Sequence, residues 1–234
     1  MGQKVESANT FSNFLPDNWV WDTECKPREV TLSADQTEAY FFIDPVTESI
    51  GTAGVRGNRG FQDGRHFWEI IFLEPPAGTS VMVGVGTQQA PLFLGNYQYV
   101  NLIGVNKESW GLSYKGTICH AGKSSQYCEP FYNKRTTIGC FLDIQGGTLT
   151  FFKNGIDLGV AFWGMDLVGE PLYPLISSTA AETELALGKR ICSSRYLSLQ
   201  ELCCITLRRN VPASLVDCLP LPKPICQLVK NVYY

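Results

Sequence analysis

The sequence predicts a mainly β protein: an antiparallel β-sandwich or barrel that carries a short α-helical tail. Three observations predict it. From about Thr31 to Leu187, short runs rich in Val, Ile, Phe, Tyr and Thr are punctuated by Gly and Pro at intervals of about ten residues. Helical periodicity is nearly absent before residue 190, so strand follows strand without the helices that a doubly wound sheet requires. After Lys189 the texture changes, and helix-start signals and apolar residues at helical spacing occur together.

The elements follow in chain order. Residues 1–20 hold few strand signals and are expected to form a flexible arm, with Phe11, Phe14, Leu15 and Trp19 available to pack on the sheets. Val81, Val83 and Val85 alternate with Met82 and Gly84, which predicts a strand with one face buried. Thr148–Phe152 and Leu158–Phe162 flank Asn154-Gly155, a dipeptide that accepts the positive φ of tight hairpin turns. Further on, Ser198-Leu199-Gln200-Glu201 is a capping box that satisfies the free N–H groups opening a helix. Leu199, Leu202, Cys203, Thr206 and Leu207 then form one apolar stripe, which Asn210 and Pro212 end. Pro212 opens a second short helix through Leu215 and Cys218, residues 219–224 are too proline-dense for helix, and a last helix carries Ile225, Leu228, Val229 and Val232. About forty residues are too few for an independent core, so this tail is expected to pack on the sandwich or on another protein.

Composition narrows the function. With 234 residues, 44% hydrophobic and 18% charged, the chain is one large globular domain or one domain with an appendage. A net charge of −3 provides no basic excess for phosphate or anionic lipid, which argues against nucleic-acid and membrane partners. No apolar run approaches the roughly 20 residues that cross a bilayer. Nor does an apolar leader follow Met1, and Glu6 stands where a myristoylation signal needs Ser or Thr, so the chain is expected to be untargeted. Nine cysteines without a regular framework, and no Asn-x-Ser/Thr sequon, fit reduced thiols in the cytoplasm or the nucleus.

Catalytic and metal chemistry find little support. There are two histidines. His66 lies in an aromatic strand-like run that suits a structural imidazole. Cys119 and His120 are adjacent, and strand neighbours project to opposite faces, so they cannot form a nucleophile and base. No Cys-x-x-Cys pair offers a zinc knuckle, so neither a metal nor another cofactor is expected. Gly116 to Ser124 has the wrong spacing for a phosphate loop and no helix after it. Together these negatives point to a binding module with no catalytic residues.

Six segments in order resemble a SPRY domain: Gly64-Arg65-His66-Phe67-Trp68-Glu69-Ile70, Val83-Gly84-Val85-Gly86-Thr87, Glu108-Ser109-Trp110-Gly111-Leu112, Leu142-Asp143, Gly147 to Gly155, and Leu172-Tyr173-Pro174-Leu175. The tail resembles a SOCS box, through Ser198-Leu199-x-x-x-Cys203-x-x-x-Leu207 and Leu219-Pro220-Leu221-Pro222. That order is similar to the SPRY domain-containing SOCS box protein family, and its divergent third member is the nearest match in Ser49 to Gly57 and Leu199 to Cys204.

The resemblance implies a two-layer antiparallel sandwich over residues 21–189 and a SOCS box over 190–234. It also implies the substrate receptor of a ubiquitin ligase. Leu199, Leu202, Cys203 and Leu207 would bind elongin C, which brings elongin B. Leu219, Pro220, Leu221 and Pro222 would contact cullin-5, which carries a RING partner. The SPRY loops would hold an Asn-rich degron, marking its owner for proteasomal degradation. By alignment with the family, the contacts fall on Tyr99, on Thr179, Ala180 and Ala181, and on Thr47 and Ser49. Pro45, Thr47 and Ser49 replace a run that holds an arginine, Ala77 replaces another arginine, and residues 179–181 replace a tryptophan-containing run. The expected degron therefore contains Asn without a strong need for an acidic residue before it.

Overall fold

A computed structural model describes residues 11, 14–43, 48–133, 135–193 and 199–231. The β-rich texture becomes strands β1 (Leu15–Pro16), β2 (Val30–Leu32), β3 (Glu38–Phe41), β4 (Thr52–Arg56), β5 (Arg65–Phe72), β6 (Val81–Gly86), β7 (Phe93–Leu94) and β8 (Ser109–Ser113). They continue as β9 (Thr117–His120), β10 (Lys123–Gln126), β11 (Thr137–Asp143), β12 (Thr148–Lys153), β13 (Ile156–Trp163), β14 (Tyr173–Ser178) and β15 (Thr183–Ser193). All pairings are antiparallel, in two sheets. One runs β13-β12-β11-β5-β15-β3-β2, with β1 also on β15, and the other runs β10-β9-β8-β6-β14-β4-β7.

The inner faces of both sheets fill one core. Trp21, Phe41, Trp68, Ile70, Phe72, Leu112 and Phe151 are wholly buried there. Asn154 and Gly155 take φ of 51° and 78°, the left-handed pair that a tight hairpin demands, and join β12 to β13 as the dipeptide predicts. Strand β6 departs from its expected pattern, since all six of its residues are buried. Its valines enter the main core, while Met82 packs on the other face with Ala90, Ile103, Cys119 and Leu175. Alternation reports one covered face, but the segment between β7 and β8 contributes Ile103 to cover the second. Gly84 then permits close strand approach, because a Cβ there would lie 2.0 Å from the Trp110 carbonyl oxygen.

The start of the described chain belongs to the sandwich. Leu15 and Pro16 pair with Cys192 and Ile191 of β15, and Trp19 is buried. Phe11 and Phe14 pack with Phe67, Phe152 and Ile191 on the outer face of the larger sheet. Sandwich contacts thus extend to both sides of residues 21–189.

The tail comprises α1 (Leu199–Asn210), a 3-10 turn (Ala213–Cys218) and α2 (Lys223–Asn231). Ser198 of the capping box and Val232 lie outside the described residues. Proline density was expected to exclude helix as far as Pro224, yet α2 begins at Lys223. Pro224 fits because the first helical turn leaves N–H groups unpaired anyway. The tail builds its own small core from Cys204, Val216, Cys226 and Val229, flanked by Leu207, Val211, Leu221 and Ile225. Among the described residues no helix is long and apolar enough to cross a membrane.

Candidate functional site

Three loops meet at one end of the smaller sheet. Strand β7 pairs with the start of β4, which lays residues 95–101 beside Ser49 and Ile50. The Tyr97 N–H donates to the Ile50 carbonyl at 2.8 Å, and the Val100 N–H donates to Thr52 Oγ1 at 3.2 Å. Asn96 and Tyr97 both take left-handed φ, 55° and 60°, an uncommon conformation for a tyrosine. Tyr97 is 71% exposed and Tyr99 36%, with ring centroids 6.5 Å apart.

Hydrogen bonds tie this aromatic loop to the others. The Tyr99 hydroxyl donates to the Ser49 carbonyl at 2.7 Å, and Ser49 Oγ lies 2.5 Å from the Thr179 carbonyl oxygen. Thr179 in turn clasps Ser80: its Oγ1 accepts the Ser80 N–H at 2.9 Å and donates to the Ser80 carbonyl at 3.0 Å. Ala180 sits above Gly78, whose φ of 77° and contact with Ala180 exclude a side chain. Ala77, the residue before Gly78, is exposed. Segments 48–52, 76–79, 95–101 and 179–182 carry two carboxylates, Glu48 and Glu182, and no lysine or arginine.

The structure thus unites Ser49, Tyr99, Thr179 and Ala180. Their roles differ by orientation: Tyr99 offers its ring to solvent, whereas the Thr179 side chain is 3% exposed and turned inward. Ala181 packs partly on the main core. Thr47 and Pro45 lie outside the described residues. Tyr97, more exposed than Tyr99, is a surface aromatic that sequence reasoning passed over; its place two residues before Tyr99 was the available signal.

The tail presents two faces. Cys203, Thr206 and Asn210 are exposed, while Cys204 is buried and Leu207 and Val211 are half-buried against the tail core. The Cys203 thiol therefore points to solvent and the Leu207 side chain reaches inward. Leu199 and Leu202 lie on α1, but their side chains are outside the described residues. Past the 3-10 turn, Leu219 is extended, Leu219 and Leu221 are half-buried, and Pro220 and Pro222 are exposed.

Cys119 and His120 are kept apart. Cys119 is buried beside Asn101 and Ser124, while His120 stacks on Trp110 at 4.5 Å and bonds the Ser109 carbonyl. Burial pushes up the thiols of Cys128 and Cys140, and that of Cys192 to about 11, the reverse of an activated nucleophile. All nine cysteines are free. Among the described residues, distant positions do assemble one cluster that linear spacing could not reveal: Asp17, His66 and Cys192.

This architecture is that of SPRY domains. A SPRY family model matches residues 65–190 and a SOCS box model matches residues 196–230. The TRIM65 PSpry domain superposes with a TM-score of 0.57 at 24% identity, covering 74% of this chain and 90% of that one. The human HERC1 SPRY domain also reaches 0.57, at 18% identity, over 72% and 97% of the two chains. The chain belongs to the SPRY domain-containing SOCS box protein family. It is 38% identical to SPRY domain-containing SOCS box protein 3 of Xenopus laevis over 92% of its own length and 58% of that protein's. It is 34% identical to human SPRY domain-containing SOCS box protein 2 over 78% and 72% of the two lengths. The chain thus spans under two thirds of the length of its Xenopus relatives.

Proposed function

We propose that this chain is the substrate-recognition subunit of an elongin B/C–cullin-5–RING ubiquitin ligase, without catalytic residues of its own. The observation that carries the reading is the pairing of two modules in one chain: a sandwich with a pinned aromatic loop end, and a helical tail with a solvent-facing helix surface. Recruitment falls to α1, where Cys203 acts as a small apolar knob for a groove on elongin C together with Leu199 and Leu202. Leu207 supports that face from the tail core. Leu219 to Pro222 meet cullin-5 in extended form, as the local backbone favours.

Substrate capture falls to the loop end. Tyr99 and Tyr97 supply apolar area with hydroxyls, a chemistry that suits the flat, hydrogen-bonding side chain of Asn. With carboxylates and no cation among these loop segments, an acidic residue beside the Asn finds no partner. The target is therefore an Asn-containing peptide of low negative charge, and its owner is ubiquitinated and degraded. Nine free thiols suit a reducing compartment, cytosol or nucleus.

The test is co-expression with elongins B and C followed by size exclusion. A 1:1:1 complex is expected, lost in the Leu199→Pro/Cys203→Phe double variant while the sandwich stays folded. A soluble monomer that ignores elongins would refute the reading and leave a SPRY scaffold with a structural tail. Tyr99→Ala then tests the degron surface, with weaker capture of Asn-containing peptides as the expected result.

A further inference from the structure

Where β5, β15 and the segment after β1 converge, three ligand-type side chains face one another. Asp17, His66 and Cys192 each offer one donor atom, and these atoms all lie within 4.8 Å of one another. Asp17 and His66 are both 4% exposed. Asp17 Oδ2 and His66 Nδ1 are 3.8 Å apart, and among the described residues neither has a hydrogen-bond partner within 3.5 Å. Two buried polar atoms left without a close partner are costly.

Their neighbours make this worse for a simple pair and better for a cation. His66 Nε2 is 2.8 Å from the Asp63 carbonyl, an acceptor, so Nε2 carries the proton. In the neutral ring Nδ1 then turns its lone pair toward the carboxylate. Arg59 holds the other carboxylate oxygen, Oδ1, at 2.6 Å, leaving Oδ2 free to face inward. A carbonyl on the far ring nitrogen and a cation on the far carboxylate oxygen are the supports that orient metal ligands. Phe61 stacks on the His66 ring at 3.8 Å and fixes its plane.

The register of β15 completes the set. Leu187 pairs with Ile70 but Arg190 pairs with Trp68, so a bulge adds one residue between them. Without that bulge Cys192 would face the opposite side of the sheet; with it, Cys192 lies directly across from His66.

We infer that Asp17, His66 and Cys192 form a zinc-binding clip that fastens the segment after β1 to the two central strands of the larger sheet. Mixed N, O and S donors suit Zn²⁺. A tetrahedral zinc places such donors about 3.3–3.7 Å apart, so each pair of donors closes on the ion by at most about 1.5 Å. On binding, the Cys192 S–H bond breaks, its proton leaves to solvent, and the thiolate lone pair bonds the metal. Carboxylate and thiolate then neutralise the divalent charge, and a water takes the fourth position on the side of half-buried Cys192.

The full chain, purified without chelator, is expected to retain one zinc per molecule by elemental analysis. Replacing it with Co²⁺ should produce a sulfur-to-cobalt charge-transfer band in the near ultraviolet. Cys192→Ser should abolish that band with the sheet circular dichroism unchanged, whereas a Cys25→Ser/Cys203→Ser/Cys218→Ser variant should keep it. Free zinc at 100 times the dissociation constant should raise the wild-type Tm by about 5–10 °C, and that of Asp17→Asn much less. No retained zinc and no band in the wild type, or an equal band in Cys192→Ser, would overturn the inference.

Discussion

Thr179 is the residue on which the loop end rests, and Thr179→Val isolates its hydroxyl. The side chain is buried, its oxygen receives the Ser80 N–H at 2.9 Å, and its proton goes to the Ser80 carbonyl at 3.0 Å. Valine keeps the shape and removes both bonds. The Ser80 carbonyl still receives the Thr179 N–H at 2.9 Å, but the Ser80 N–H loses its acceptor inside the protein. An orphaned buried donor costs about 1–3 kcal/mol, and the added methyl returns less than about 1 kcal/mol. The net loss of about 1–2 kcal/mol corresponds to a Tm lower by about 2–8 °C for a chain of this size. Thermal unfolding followed by circular dichroism measures it. Peptide capture, assayed well below the Tm, should change by less than about threefold, because that difference is under about 1 kcal/mol. An unchanged Tm with lost capture would refute the reasoning, since the hydroxyl would then be serving the ligand and not Ser80.

Three further outcomes are expected. Gly84→Ala pushes a Cβ into the Trp110 carbonyl oxygen at 2.0 Å, and strand backbone cannot yield as a side chain can. A loss of about 3 kcal/mol or more should appear as poor soluble yield, and a wild-type Tm would contradict the packing described. Thiol labelling at mild alkaline pH should modify exposed Cys25, Cys203 and Cys218 first and buried Cys140 only on unfolding. Elongin C should shield Cys203 alone among the fast three, and equal protection of Cys25 would count against α1 as the docking face. Burial pushes the Asp17 carboxyl up, but the His66 ring, Arg59 and Cys192 outweigh it and hold the group below its usual 3.8. A depressed folded value means stability that is present above the unfolded pKa and lost as pH falls through the folded one. Metal-free wild type should therefore lose more stability than Asp17→Asn as pH drops below about 4, and parallel acid titrations would exclude the contribution.

Much of the fold was legible because its signals are local. Asn154-Gly155 announces its hairpin through two positive φ angles, and alternation marks β6 as a strand before any contact is known. Periodicity also found α1, with a stripe of Leu199, Leu202, Cys203, Thr206 and Leu207, of which Leu207 does face the tail core while Cys203 and Thr206 are exposed. The structure buries Cys204 and half-buries Leu207 and Val211. Spacings of three and seven from Cys204 were there to read.

By itself the sequence determined the β-rich body, the helical tail, their order and the family they define. Each of these follows from residue types within a few positions of one another, where propensity and periodicity act. Only tertiary structure decided that Ser49, Tyr99 and Thr179 share one hydrogen-bonded edge, and that Thr179 points inward. It alone placed Asp17 and Cys192 beside His66. Those meetings depend on strand order and on a one-residue bulge in β15, and register between distant strands is set by the whole core, not by any local run of residues.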